Sequence, residues 1–219
     1  MTIRGLVHAH SALSFDSLLP PRAYLAWAHR AGLDFLCLTD HNTIAGSLEL
    51  ARRNRDPRLE IVIGAEYATE LGDLIGLFLR EEIDARRWDD VVAAIRDQGG
   101  VTLLPHPHRG HRLEDLNWKD VDLVEAFNAR STPAQNEASL RDAQERGLPQ
   151  VCGSDGHTVW ELLRAGNFVS LDGEGDLRSR LLTAERSLET RTSSVNLTRY
   201  SRYVRRVRRR LGFTGRAQL

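Results

Sequence analysis

Cysteine is scarce here: Cys37 and Cys152 are the only two in the chain. Each lies inside an apolar run, so the pair reads as buried free thiols in a reducing compartment, not as a disulfide or a thiolate metal site. Net charge is missing too, because 30 Lys and Arg balance 30 Asp and Glu and the pI is about 7.1. A chain without an overall field offers nucleic acid or a membrane no whole-molecule attraction. No apolar run approaches the roughly 20 residues of a membrane-spanning helix. The first apolar run starts at Ile3 and leaves no room for a signal peptide, so a cytoplasmic location is expected. A length of 219 residues suits one domain with a substantial core and at most an appendage.

What is present is one arrangement, repeated. Ile3 to Val7 stops at His8-Ala9-His10. Phe35 to Thr39 stops at Asp40-His41, and Ile61 to Ala65 stops at Glu66. Val101 to Leu104 stops at Pro105-His106-Pro107-His108, and Gln150 to Ser154 stops at Asp155-Gly156-His157. Each run has strand length, and each ends in residues that bind cations. Every histidine except His29 falls at or just past such an end, His111 loosely. If the first run is a strand, its period of two puts His8 and His10 on one face.

Helices are expected between the runs. Pro20-Pro21 open one that carries Tyr24, Trp27, Ala28 and Ala31 on a single face and stops at Gly32. A second runs from the turn after Asp40 to about Arg53. The spacing of Trp88, Val91, Val92 and Ile95 predicts a helix over Ile83 to Gln98, and another is expected over Pro133 to Arg146. Further strands are expected at Leu74 to Leu79, with Gly72-Asp73 in the turn before it, at Val121 to Phe127 and at Asn167 to Leu171. Strands alternating with helices imply parallel βαβ units. In a parallel barrel the site forms at the carboxyl ends of the strands, which is where the candidate ligands sit. An open sheet binds at one crevice and does not easily use so many strand ends. A small, irregular α/β barrel over residues 1–172 is therefore expected.

Residues 173–219 change character. Arginine accumulates around a stripe of Tyr200, Tyr203, Val204, Val207 and Leu211 at helical spacing. This basic helical extension either packs its stripe on the barrel or docks on an anionic membrane surface or nucleic acid.

His8, His10, Asp16, His41, Glu66, His106, Asp155 and His157 mix imidazole with carboxylate. Such donors suit Zn²⁺, Mn²⁺ or Fe²⁺ better than Ca²⁺ or Mg²⁺. They are too many for one ion with open positions, and with Glu66 and Asp155 as bridges they suit two or three divalent ions. Asp16 reads equally as a helix cap, and any single histidine at a strand end reads as an ordinary polar residue. Coincidence at five strand ends does not.

His8-Ala9-His10 with Ser14-Phe15-Asp16, Leu38-Thr39-Asp40-His41-Asn42, Gly64-Ala65-Glu66, Leu104-Pro105-His106-Pro107 and Gly153-Ser154-Asp155-Gly156-His157 resemble, in order, the motifs of the PHP (polymerase and histidinol phosphatase) family. The resemblance covers residues 3 to about 171. It implies a distorted (β/α)7 TIM-like barrel and a metal-dependent phosphoesterase. It also implies that His8, His10, Glu66 and Asp155 hold one metal, Glu66 and His106 share a second, and Asp16, His41 and His157 hold a third. Asp40 would orient a histidine ligand and, with Glu66 and Asp155, belong to the catalytic centre. Where many relatives carry a further histidine this chain has Asp73, either a ligand or a plain turn residue. His108, Arg109 and Arg130 follow strand ends and either meet a substrate phosphate or are solvated. The expected reaction is hydrolysis of a small phosphorylated metabolite or nucleotide by metal-activated hydroxide. A nuclease acting on nucleic-acid ends and a non-catalytic metal-stabilised binding module are the alternatives.

Overall fold

The computed structural model describes residues 1–213. Its strands are β1 (Ile3–Leu6), β2 (Phe35–His41), β3 (Glu60–Thr69), β4 (Gly72–Leu77), β5 (Val101–Leu104), β6 (Leu123–Asn128), β7 (Gln150–Gly153), β8 (Phe168–Leu171) and β9 (Arg186–Glu189). Its α-helices are α1 (Pro21–Ala31), α2 (Ala45–Arg53), α3 (Trp88–Asp97), α4 (Pro133–Glu145), α5 (Val159–Ala165), α6 (Leu177–Thr183) and α7 (Val195–Arg210). One sheet runs in the order β7-β6-β5-β4-β3-β2-β1-β8-β9. It nearly closes on itself: the chain just past β1 meets the chain just past β7 in a parallel bridge between Ala9 and Gly156. There the His10 N–H donates to Gly156 O at 2.9 Å and the Asp155 N–H donates to His8 O at 3.0 Å. The architecture is the expected TIM-like α/β barrel with a C-terminal helix.

The parallel expectation needs two amendments. β4 runs antiparallel to both β3 and β5, and β8 runs antiparallel to β1. Only Glu70 and Leu71 separate β3 from β4, and a link that short builds a hairpin, never a parallel crossover. The reversal brings the first residues of β4 to the end of the barrel where β3 finishes, so Ala68 pairs with Asp73.

The barrel core shows why the ligands converge. Phe35, Cys37, Val62, Ile75, Leu77, Val101, Leu103, Leu123 and Val151 belong to one buried cluster. Side chains two apart share a face of a strand. Stepping by two from Cys37, Val62, Ile75, Leu123 and Val151 leads to His41, Glu66, Asp73, Glu125 and Asp155. The apolar floor and the polar layer above it are two levels of the same inward-facing rows. Outside the sheet, Tyr24, Trp27, Ala28, Leu36, Leu38 and Leu50 join α1 and α2 to β2, while Trp88, Val91, Val92 and Ile95 seat α3.

Local differences from expectation have local causes. α3 begins at Trp88, five residues after Ile83, because the Trp88 N–H is taken by the Glu70 carboxylate at 2.9 Å. Within residues 173–219, α6 packs Leu177 and Leu181 on the cluster that fills the barrel, and β9 pairs antiparallel with β8. The apolar stripe expected on α7 packs only in part: Val204 is buried, whereas Tyr200, Tyr203 and Leu211 are 46%, 65% and 79% exposed. Ser201 is buried beside Val204. The surface beneath them is the polar mouth of the barrel, which takes a hydroxyl and a small apolar group better than two phenols.

Candidate metal centre

Glu66, at 1% exposure, is the hub. His106 Nε2 lies 3.0 Å from its Oε1, with His8 Nε2 at 3.7 Å from the same oxygen. His41 Nδ1 and His10 Nε2 lie 3.1 and 3.3 Å from Oε2. Asp155 faces the same space, its Oδ1 3.4 Å from His10 Nε2 and 3.5 Å from His157 Nδ1. Asp16 closes the far side, its Oδ2 3.0 Å from His157 Nε2 and 3.2 Å from His41 Nε2. Donor atoms fall into three overlapping groups: His8 with Glu66 and His106; His8 with His10 and Asp155; and His10 with Asp16, His41 and His157. Within each group the atoms lie within 4.8 Å of one another. These overlaps place His10 beside the Asp16 group as well as beside Asp155.

The arrangement fits cations by its own chemistry. His8 Nε2 and His10 Nε2 face each other at 3.1 Å while their other nitrogens are held by Glu125 and Ser14. Asp16 Oδ1 and His106 Nδ1 are buried with no hydrogen-bond partner, a state that ordinarily costs about 1–3 kcal/mol. Backbone strain collects here too: His106 and Asp155 have φ of 32° and 44°, and Asn42, next to His41, has 57°. Non-glycine residues hold such angles at a cost, and they cluster at functional sites.

The charges respond accordingly. Burial alone would raise the Glu66 and Asp155 carboxyls, yet His41 and His8 hold Glu66, and Arg109 and Arg130 hold Asp155, well below the usual carboxylate range. Burial, then His157 and His41, push His10 down to about 3, so its imidazole is neutral at pH 7. Burial works against the charge on His41, but Asp16 and Glu66 outweigh it and raise that histidine to about 10. Burial and the neighbouring Glu66 raise the Asp73 carboxyl.

A pocket of about 470 Å³ opens above these groups. Asp73, Arg109 and Arg130 line it. Arg109 Nη2 ion-pairs with Asp155 Oδ2, and Arg130 Nη1 lies 3.6 Å from Asp155 Oδ1. α7 forms one wall, contributing Thr198, Ser201, Arg202 and Arg205. His108 is not brought to the pocket: its Nε2 meets Asp142 on α4 at 2.7 Å. Among the described residues no hydrogen bond or ion pair joins the Asp40 carboxylate to a histidine. That carboxylate accepts from Ser11 N–H at 2.5 Å and from Ser14 Oγ at 2.9 Å, and Ser14 Oγ in turn stands 3.2 Å from His10 Nδ1.

Two buried acids were not anticipated from sequence. Glu125 takes His8 Nδ1 at 2.9 Å, the His106 N–H at 2.7 Å and Asn128 Nδ2 at 2.9 Å. Glu161 takes the His157 N–H at 2.8 Å and lies 3.7 Å from Arg130 Nε. An acid flanked by Val124 and Ala126 within the run Val121 to Phe127 was the available signal for Glu125, since an acid two residues past an inward-facing Leu123 also faces inward.

Comparison with known proteins agrees with this geometry. Residues 7–161 match the PHP domain family. An uncharacterised protein of Methanocaldococcus jannaschii is 39% identical over 121 residues, 52% of this chain and 69% of that one. A second from the same organism is 29% identical over 244 residues, covering 94% of this chain and 98% of that one. Among solved structures, a two-domain Bacteroides vulgatus protein containing a predicted PHP-like metal-dependent phosphoesterase superposes with a TM-score of 0.74 at 16% identity, over 93% of this chain and 70% of that one. Endonuclease Q, in complex with a duplex carrying an abasic lesion at its active site, superposes with a TM-score of 0.61 at 12% identity, over 83% of this chain and 55% of that one.

Proposed function

This chain belongs to the PHP domain family, and from that premise we propose that it hydrolyses a small phosphorylated metabolite or nucleotide in a reducing, cytoplasmic setting. The observation that carries the reading is the convergence of four imidazoles on Glu66, with Asp155 and two arginines beside it. His8, His10, Glu66 and Asp155 would hold one ion, Glu66 and His106 a second, and Asp16, His41 and His157 a third. Asp73 would join the second: it lines the pocket with Glu66 and His106, and burial, then the neighbouring Glu66, raises its carboxyl, which a cation would offset. Zinc, manganese or iron(II) suits these donors. Bound, such ions lower the pKa of water and neutralise charge on a phosphoryl group.

The chain's own residues supply the rest. Glu125 fixes His8 through Nδ1 and leaves Nε2 aimed at the centre. Asp40 fixes His10 through Ser14. Arg109 and Arg130 flank Asp155, where they can grip phosphate oxygens and steady the charge that grows as the ester bond breaks. Phosphate contact is left to these two; His108 faces Asp142.

Hydrolysis of p-nitrophenyl phosphate or its bis ester by Mn²⁺- or Zn²⁺-loaded protein, abolished by chelator and by His10→Ala or Asp155→Ala, is the expected result. Metal-loaded protein that turns over no phosphoester would leave the binding-module reading standing. A second reading, cleavage at nucleic-acid ends, draws on Arg202 and Arg205 at the pocket mouth and on the likeness to endonuclease Q. Release of mononucleotides from single strands, falling steeply with salt, would select it. Binding of the α7 arginines to anionic vesicles would instead select a membrane surface as partner. No helix among the described residues is long and apolar enough to cross a membrane.

A further inference from the structure

A second cavity, of about 640 Å³, adjoins the charged one and shares His157 with it. Its character is the opposite. Leu18 and Pro20 come from the loop after β1, Val159 and Trp160 from α5, and Tyr200 from α7. These side chains are large, apolar and wet: Leu18 is 53% exposed, Trp160 56%, Tyr200 46% and Val159 43%. Exposing that much apolar surface in one place forgoes burial energy and marks a binding surface. The volume lies in the range of small-molecule sites, and three separate segments wall it into a groove. The exposed phenol of Tyr200, which the α7 stripe failed to bury in the core, is thereby accounted for.

Continuity with the metal centre identifies the occupant. A molecule with its charged end among Arg109, Arg130 and the candidate ligands has its other end at His157, where the apolar groove begins. We propose that this groove binds the alkyl or aryl group of an amphiphilic phosphoester whose phosphate lies in the adjoining pocket. The phosphate half rests on the phosphoesterase reading above; the groove half does not.

The test is a substrate series at fixed metal: ethyl, octyl and 1-naphthyl phosphate, with 1-naphthol binding followed by fluorescence. KM should fall at least tenfold from ethyl phosphate to octyl or naphthyl phosphate. Preference for octyl identifies an alkyl chain, and preference for naphthyl a planar ring. Leu18→Ser with Trp160→Ala should erase the gain, leave ethyl phosphate kinetics unchanged and weaken 1-naphthol binding about tenfold. Equal KM along the series, or equal loss on ethyl and octyl phosphate, overturns the inference. Failure to hydrolyse any member, and bis-p-nitrophenyl phosphate with them, sinks the phosphoesterase reading, and 1-naphthol then decides the groove alone: binding lost in the double variant supports it, and no binding overturns it. Self-association of the wild type that the double variant abolishes makes the groove an interface between copies and also overturns it.

Discussion

His8 and Glu125 form a wholly enclosed pair, imidazole Nδ1 to carboxylate Oε1 at 2.9 Å, with neither side chain exposed. A carboxylate behind a ligating histidine fixes its tautomer and strengthens it as a donor, and removing one typically costs 10–100-fold in metal affinity. Glu125→Gln keeps the shape but loses the charge and turns one of the two acceptor oxygens into a donor. Titration with Zn²⁺ or Mn²⁺ should show binding weaker by about tenfold or more, and the ion-free protein should melt at a lower temperature, because the buried His8 loses the charge set against it. Unchanged affinity would mean that His8 is not a ligand.

Gly153 makes that pair possible. A Cβ at Gly153 would overlap Glu125 Oε1 and lie 2.9 Å from His8 Cβ. Gly153→Ala therefore forces Glu125 off His8 or shifts β7. Overpacking of this kind costs about 1–3 kcal/mol, so a lower denaturation midpoint should accompany lost metal. A variant as stable and as metal-rich as the parent would show the contact to be loose.

These two residues also mark what sequence could and could not convey. The convergence of the candidate ligands His8, His10, His41, Glu66, His106, Asp155 and His157 was legible because each ends a strand-length apolar run, and strand ends of a barrel converge by topology. Glu125 was not, because a single acid inside a β-rich run reads as a solvated position until the inward row of β6 is known. Asp73 was ambiguous for a different reason: its approach to Glu66 depends on β4 running backward, which the two-residue link permits but periodicity does not report. His108 looked like a phosphate contact from its Pro-His-Pro-His setting, and only tertiary packing brings Asp142 of α4 to it. On α7 the stripe is helical as its spacing implies, but Val204 is buried while Tyr200, Tyr203 and Leu211 are exposed, since helical spacing says nothing about whether the surface beneath is apolar.

Arg208 ties α7 to the loop that carries Asp16. Its Nη1 donates to Ser14 O at 3.1 Å and Ser17 O at 2.5 Å, and its Nη2 donates to Ala12 O at 2.9 Å. Arg208→Ala leaves those carbonyls to water and frees the loop. Stability should fall by about 2 kcal/mol, the scale of hydrogen bonds from a charged donor. Metal content should drop by the ion that Asp16, His41 and His157 are proposed to hold. Arg206→Ala, an exposed arginine on the same helix, is the control and should change neither.

Cys37 and Cys152 are buried, and burial pushes both thiols up. The Cys152 thiol also donates to Phe168 O at 3.2 Å. Thiolate is the reactive form, so a disulfide-exchange reagent should find neither cysteine in the native protein and both after unfolding. Their rate of labelling should follow the rate of opening. Rapid labelling of a native thiol would contradict the packing of β2 or β7.

The charge on His41 gives the centre a pH dependence of definite sign. In the ion-free protein Asp16 and Glu66 outweigh burial and raise this imidazole from 6.5 to about 10. A raised folded-state value stabilises the fold fully below pH 6.5, and the contribution is lost as pH climbs through about 10. The ion-free protein should therefore melt at lower temperature as pH rises across that window. Metal runs the other way, because a cation takes imidazole only without its proton. Uptake at pH 7 must expel the proton from His41 and, since Glu125 and Glu66 overcome burial at His8 in the same manner, a second from there. Calorimetry in buffers of differing ionisation heat should count about two protons released at pH 7 and fewer near pH 10, with affinity rising between. The loaded protein should consequently gain stability over the ion-free form as the solution becomes more alkaline. Metal uptake without proton release would place the ions away from His8 and His41 and remove the basis for the centre as drawn.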